Sequence, residues 1–306
     1  MSPRIGTLCD AVPEMSTPAT LHDIRLAIIG TGVMAEAILS GLLRESLIDP
    51  DKVVASHPRA ERREQVRKRH GVHVTDNNLA AATDADILIL AVKPQMLTAI
   101  APELRRKLDQ QQIVVSILAG ATTKVLAESL DHTALVRAMP NTPAQIGEGV
   151  TVWYGTAAVH AADRGRIKTL LSALGREVEV HDEGQLAMAT ALSGTGPSYV
   201  FLIIEALTDA GVHLGFPRHI AHDLVVDTIV GSGLFARSSG RHSAELRNMV
   251  TSPGGTSAEA LYELEAGRLR TVITDAVWAA YARTLELEAR LEGRDPPPGT
   301  GRRPRG

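Results

Sequence analysis

The sequence is poor in cysteine and in aromatic residues: its 306 positions include one cysteine, Cys9, and only 3% Phe, Trp and Tyr. A single thiol excludes an intrachain disulfide and suits a reducing compartment, so the cytoplasm is the expected location. With few aromatics the core has to be built from Ala, Val, Leu and Ile, which favours helices and parallel strands over an antiparallel sandwich. Charge of one sign is also missing. The net charge is −3, and no stripe of Lys and Arg alternates with aromatics, so nucleic acid is not an expected partner. Apolar runs such as Asp86–Val92 and Tyr199–Leu207 fall short of a bilayer span. The N-terminus lacks the charged-then-apolar order of a secretory signal, so no membrane association is expected.

What is present is ordinary for a soluble globular chain, 44% hydrophobic and 22% charged, and long enough for two cores. Residues 1–22, with Pro3, Pro13 and Pro18 among Ser and Thr, read as a flexible tail, and the Pro-, Gly- and Arg-rich residues 293–306 read as a second, disordered one. From Ile24 to Val180 short apolar runs alternate with helical periodicity. The runs are Ile24–Ile29, Val53–Ala55, Ile87–Val92, Ile113–Ile117, Leu135–Ala138, Val150–Trp153 and Glu177–Val180. The periodic stretches are Met34–Arg44, Glu61–His70, Gln95–Leu108, Thr123–Leu130 and Asp163–Leu174. That alternation marks a parallel, doubly wound α/β sheet over residues 23–182. Residues 183–292 read as helices only: Leu186–Leu192, Pro197–Val212, Arg218–Arg237, Thr256–Ala266 and Leu269–Leu291. Several are apolar nearly all round, and a domain of about 110 residues cannot bury such helices by itself. An interdigitated homodimer through the helical domain is therefore expected.

The first apolar run ends in Gly30-Thr31-Gly32-Val33-Met34-Ala35, the G-x-G-x-x-A fingerprint of a Rossmann dinucleotide site placed between strand and helix, as the motif requires. Gly30 allows the tight turn, Gly32 lets backbone approach a pyrophosphate, and Ala35 lets helix pack on strand. The anion then sits on a helix N-terminus. At the end of the second run an NAD site usually carries Asp or Glu for the ribose hydroxyl. Here Ser56 occupies that place, with Arg59, Arg62 and Arg63 nearby to receive a 2′-phosphate, which favours NADPH over NADH. Ala91-Val92-Lys93-Pro94 closes a later strand on the ligand side of the sheet, with Pro94 opening the next helix. Asn78 is either a ribose contact or an ordinary helix cap.

The richest stretch is Thr251-Ser252-Pro253-Gly254-Gly255-Thr256-Ser257, feeding a helix that continues through Ala260-Leu261. Thr256 and Glu259 fit a capping box. Free N–H groups over Gly254–Ser257 at the positive end of the helix form a seat for a small carboxylate, with the Ser257 hydroxyl left for the ligand. With Arg137-Ala138-Met139-Pro140-Asn141-Thr142-Pro143, Ser193-Gly194-Thr195-Gly196-Pro197-Ser198-Tyr199, Ala91-Val92-Lys93-Pro94 and the glycine fingerprint, it makes five blocks. In their order along the chain they resemble the pyrroline-5-carboxylate reductase family over residues 24–290.

The resemblance implies NAD(P)H-dependent reduction of 1-pyrroline-5-carboxylate to L-proline, the last step of proline biosynthesis. It implies cofactor contacts at Gly30–Ala35, Ser56, Asn78, Ala91–Lys93 and, beside the nicotinamide, Leu118 and Ala119. It places the substrate at Ser252–Ser257, and implies a dimer that can assemble further into rings. Ser257 stands where the family usually has Thr and keeps the hydroxyl. Thr195 and Ser198 replace small residues, and Ile117-Leu118-Ala119-Gly120 is bulkier than usual, which would narrow the pocket.

The expected chemistry is hydride transfer to a ring imine, with Ser257 donating a proton to the ring nitrogen or only positioning it. The alternatives are another cyclic-imine reductase, a hydroxyacid-dehydrogenase-like enzyme, or a non-catalytic NADPH-binding regulator. A ketone needs a general acid, which hydroxyacid dehydrogenases typically supply as a helical-domain lysine. This chain has no lysine after Lys168, which argues for an imine.

Overall fold

The computed structural model describes residues 21–295. Cys9 and most of both tails lie outside that range. An eight-stranded sheet is built from β1 (Leu26–Ile29), β2 (Val53–Ser56), β3 (His73–Thr75), β4 (Ile87–Leu90), β5 (Ile113–Ser116), β6 (Leu135–Met139), β7 (Gly149–Gly155) and β8 (Gly175–Glu179). Its order is β3-β2-β1-β4-β5-β6-β7-β8, parallel throughout except for the antiparallel β6–β7 pair. β1, β4 and β5 read LAII, ILIL and IVVS and are buried along their whole length, as strands covered on both faces must be.

Helices α1 (Val33–Arg44), α2 (Ala60–His70), α3 (Asn78–Ala82), α4 (Leu97–Leu104), α5 (Thr123–Leu130) and α6 (Ala161–Ser172) supply the crossovers. The two faces hold separate apolar cores, one around Ile28, Ile38, Ile89 and Trp153, the other around Ile29, Leu88, Leu104 and Leu126. α1 lies so close to the α6–β8 turn that a Cβ on Gly41 would meet the Ala173 carbonyl oxygen at 2.5 Å.

Neither β3 nor α3 stands among the runs and periodic stretches read from the sequence, and four further stretches depart from that reading. Leu21 and His22 were expected in the tail, but Leu21 is fully buried and its N–H donates to the Leu47 carbonyl at 3.0 Å. The helix expected over Gln95–Leu108 is a 3₁₀ turn, Pro94–Met96, followed by α4. It stops at Leu104 because Arg106 takes a positive φ, with its side chain on Asp131 at 2.7 Å. The stretches expected as two helices, Leu186–Leu192 and Pro197–Val212, run on as one rod: α7 (Gln185–Ala189), a π-helical turn (Thr190–Gly194) and α8 (Gly196–His213). That rod, Gln185–His213, is long and apolar enough by length and composition to span a bilayer, which no contiguous apolar run in the sequence suggested, and little of it is buried within the chain.

The rest of the helical domain is α9 (Arg218–Ser239), α10 (Ser243–Met249), α11 (Thr256–Ala266) and α12 (Leu269–Leu291). α10 is the fourth departure. Its seven residues are too short for a legible periodicity, and its cap is the ring of His242, which accepts from the Ala244 N–H at 3.2 Å. α8 packs on α9 and α11 on α12, while α12 returns across the π turn to the sheet domain.

Candidate active site

At the end of β1 the chain turns through Gly30, whose φ of +91° suits glycine. A Cβ there would lie 2.8 Å from both the Ala91 carbonyl oxygen and the Val92 side chain. The turn is pinned between strands, with the Gly30 N–H on the Ser56 carbonyl at 3.1 Å and the Ala91 N–H on the Ile29 carbonyl at 2.9 Å. Gly32, the N-cap of α1, has nothing within 4 Å of where a Cβ would stand. That open cradle before a helix N-terminus, with no cap side chain on the first N–H groups, fits a dinucleotide pyrophosphate. Thr31 is buried with its hydroxyl unpartnered, Ala35 is buried, Met34 packs partly on the core, and Val33 projects outward.

The residues at the end of β2 form a hydrogen-bonded network with α3. Ser56 is wholly buried and donates to Asn78 Oδ1 at 2.7 Å, while Asn78 Nδ2 donates to Glu103 at 2.8 Å. Asn77 is the helix cap, accepting from the Ala80 N–H at 2.9 Å, so Asn78 is free of that duty. Of the three arginines offered for a 2′-phosphate, two are occupied. Arg62 donates to the Thr31 carbonyl from Nε at 2.9 Å and Nη2 at 2.7 Å and pairs with Glu36 at 2.7 Å. Arg63 holds the His57 and Pro58 carbonyls, each at 2.8 Å. Arg59 is exposed, and among the described residues its side chain has no hydrogen bond or ion pair. His57 Nδ1 accepts from the Arg59 N–H at 3.1 Å. Burial first, then the Arg59 and Arg62 cations, push this imidazole below its ordinary range, so it is neutral at pH 7.

After β4, Lys93 is exposed and precedes Pro94 at the first position of its turn. The Leu118 side chain is 2% exposed and belongs to the core beneath the sheet. Of the Ile117–Gly120 segment expected to narrow the pocket, Leu118 therefore adds no bulk there: its side chain turns inward, while Ile117 and Ala119 stay half-buried.

Ser252–Ser257 forms a tight turn in which Gly254 has φ +67° and the Gly255 N–H donates to the Ser252 carbonyl at 3.0 Å. A Cβ on Gly255 would come within 2.5 Å of Ser252 Oγ. The N-cap of α11 is Gly255, not Thr256, and no side chain caps it, so the expected capping box is absent. This leaves the Thr256 and Ser257 N–H groups without an intrahelical acceptor, as the carboxylate seat requires. Among the described residues no hydrogen bond or ion pair joins Ser252–Ser257 to the nucleotide loops; the principal packing partner of α11 is α12. Within one chain the two candidate half-sites share no such bond.

The junction between domains uses residues whose roles the sequence did not disclose. Pro197 has no N–H to offer the Ser193 carbonyl one turn earlier. The Asn141 amide takes that carbonyl at 3.1 Å, and Asn141 Oδ1 accepts from the Val150 N–H at 2.9 Å. Arg137 is buried with Glu183 at 3.2 Å and Glu288 at 2.6 Å.

Comparison with known proteins agrees with this geometry. A family model described as pyrroline-5-carboxylate reductase dimerisation matches residues 183–287. The chain is 40% identical to the pyrroline-5-carboxylate reductase of Synechocystis over 86% of its own length and 98% of the relative's. It belongs to the pyrroline-5-carboxylate reductase family. The Pseudomonas aeruginosa reductase is 38% identical over 90% of this chain and 99% of its own. A second model, described as NADP oxidoreductase coenzyme F420-dependent, matches residues 25–120, which include β1 and the glycine loop. Among solved structures, the Coxiella burnetii reductase superposes with a TM-score of 0.79 at 33% identity, covering 86% of this chain and 98% of that one. The Plasmodium falciparum enzyme, solved with NADP bound, gives 0.77 at 30% identity over 87% and 99%.

Proposed function

We propose that this chain reduces 1-pyrroline-5-carboxylate to L-proline with NADPH in preference to NADH, in the cytoplasm, as a homodimer formed through residues 183–292 that can associate further into rings. Residues 23–182 form the nucleotide domain. The observation that carries the activity is that relatives named for it match the chain over nearly their whole length. The cofactor preference rests on Ser56 in place of a carboxylate and on Arg59, the one nearby cation with no structural partner. The dimer rests on large apolar side chains exposed along α8, α9 and α12, which a second copy would cover.

In this reading the reduced nicotinamide supplies the hydride. Gly30–Ala35 seat the pyrophosphate, Ser56, Arg59 and Asn78 hold the adenosine ribose, and Ala91–Pro94 with Leu118 and Ala119 orient the nicotinamide ring. Ser252, Gly254, Gly255, Thr256 and Ser257 receive the carboxylate through N–H groups at the positive end of α11. The Ser257 hydroxyl faces the ring nitrogen and holds or delivers its proton. A protonated cyclic imine already accepts hydride, so orientation to about 3–3.5 Å and exclusion of water carry the rate. The test is nicotinamide oxidation with pyrroline-5-carboxylate, using NADPH and NADH, with a 2-keto acid as control. Turnover of the pyrroline and not of the keto acid is expected. Ser257→Ala should lose about 10- to 100-fold in kcat/KM for the pyrroline while NADPH binding is kept. A folded, NADPH-binding chain inert toward the pyrroline would overturn the assignment.

A further inference from the structure

The loop after β5 carries the proposed nicotinamide contacts, Leu118 and Ala119, yet its far side is held from the helical domain. Gly120 has φ +80° and lies against α12: a Cβ on it would stand 3.2 Å from Leu287 Cβ. The Thr122 hydroxyl donates to Glu292 at 2.8 Å, and the Thr123 N–H donates to Glu183 Oε1 at 2.7 Å, with the Thr123 hydroxyl on the same carboxylate. Arg137, in register beside Ser116 at the end of β5, completes the set by bridging Glu183 to Glu288. The Arg137 and Glu288 side chains are 5% and 8% exposed. A buried ion cluster is a poor way to gain stability, because desolvation offsets most of the attraction, but it defines one geometry sharply. Here that geometry joins the nicotinamide loop to the helical layer that carries the substrate loop.

We propose that Arg137 and Glu288 are positioning residues for hydride transfer: they fix the Leu118–Gly120 loop against α12 and thereby set the angle between the nucleotide domain and the helical domain. Neither touches substrate or cofactor; they act through the loop and through the placement of the helical layer. The inference rests on the proposed reductase activity and on Leu118 and Ala119 lining the nicotinamide.

The experiment compares wild type, Glu288→Ala, Glu288→Gln and, as a control on the outer face of the same helix, Glu286→Gln. Each purified full chain is checked for fold and oligomeric state. Preformed enzyme–NADPH is then mixed with pyrroline-5-carboxylate under single-turnover conditions, and NADPH affinity is measured separately. A displacement at the reacting carbons is costly, so Glu288→Ala should slow hydride transfer by about tenfold or more, with NADPH affinity within about twofold of wild type. Glu288→Gln keeps an acceptor for Arg137 and should retain about a third of the rate, and Glu286→Gln should match wild type. A folded Glu288→Ala with wild-type transfer, or one whose rate falls only in proportion to its NADPH affinity, overturns the proposal. If Glu288→Ala does not fold, Glu288→Gln decides: slower transfer at unchanged affinity supports positioning, and wild-type transfer overturns it. An inert wild type would instead sink the reductase reading itself.

Discussion

The nucleotide domain and the helical domain are made from the same aliphatic residues, yet one buries them and the other does not. β1, β4 and β5 are closed on both faces, whereas α8 and α9 each bury one residue, Thr208 and Ala221, and α10 and α11 bury none. Phe201 and Leu202 are 58% and 65% exposed, and Trp278 is 49% exposed. The first domain is complete as a single chain. The second leaves large apolar faces open within the chain, and the family model described as pyrroline-5-carboxylate reductase dimerisation covers residues 183–287.

The sharpest challenge to the self-sufficient half is Gly30→Val. A β-branched side chain has to meet the Ala91 carbonyl and adopt a positive φ, so kcat/KM with NADPH should fall by about 100-fold or more. A variant that turns over normally would mean that the loop does not seat the dinucleotide. The half-built domain is challenged by Leu202→Glu, which buries a charge if a second copy covers α8. Sedimentation should show monomer, and activity should drop about tenfold and recover as protein concentration rises. An unchanged dimer would place the interface elsewhere.

Two smaller effects sharpen the contrast within the nucleotide domain. Arg59→Ala should raise the KM for NADPH about tenfold and leave NADH untouched, as removal of a free cation from a phosphate does. Equal effects on the two cofactors would remove Arg59 from the 2′-phosphate site. Glu36 braces Arg62 beneath the glycine loop. Burial raises its pKa, but the Arg62 hydrogen bond and charge, with help from His70 and Arg69, outweigh this and hold the carboxyl below the ordinary value of 4.5. A carboxyl with a depressed pKa stabilises the fold above its unfolded-state value, and that gain is lost as pH falls through the folded-state value. Glu36→Gln should therefore cost about 1 kcal/mol in denaturant unfolding at neutral pH. The deficit should vanish in acid, below the unperturbed carboxylate range; a difference that persists there would mean packing, not charge, is responsible.

Much of this was legible beforehand because it is local. α11 and α12 begin and end where their periodicity does, and Gly30–Ala35 sits in the strand–helix turn that the fingerprint requires. The misreadings arose where a distant partner decides. A Ser-Gly-Thr-Gly-Pro string looks like a break, but Asn141 from another domain satisfies the carbonyl that Pro197 leaves, and the helix continues. In the bulky Ile117–Gly120 segment, the sheet turns Leu118 into the core. Thr256 looked like a cap until Gly255 took that position.

The sequence by itself determined the sheet-then-helices plan, the glycine loop, the Gly-Gly turn before α11 and the family, because period, turn chemistry and motif order are properties of neighbouring residues. Only the tertiary structure decided which cation near Ser56 has no partner among the described residues, that Asn78 is not a cap, and that Arg137, Glu183 and Glu288 tie the region after β5 to the helical domain. Those outcomes depend on groups far apart in the chain competing for the same carbonyl, carboxylate or space, and no local rule ranks that competition.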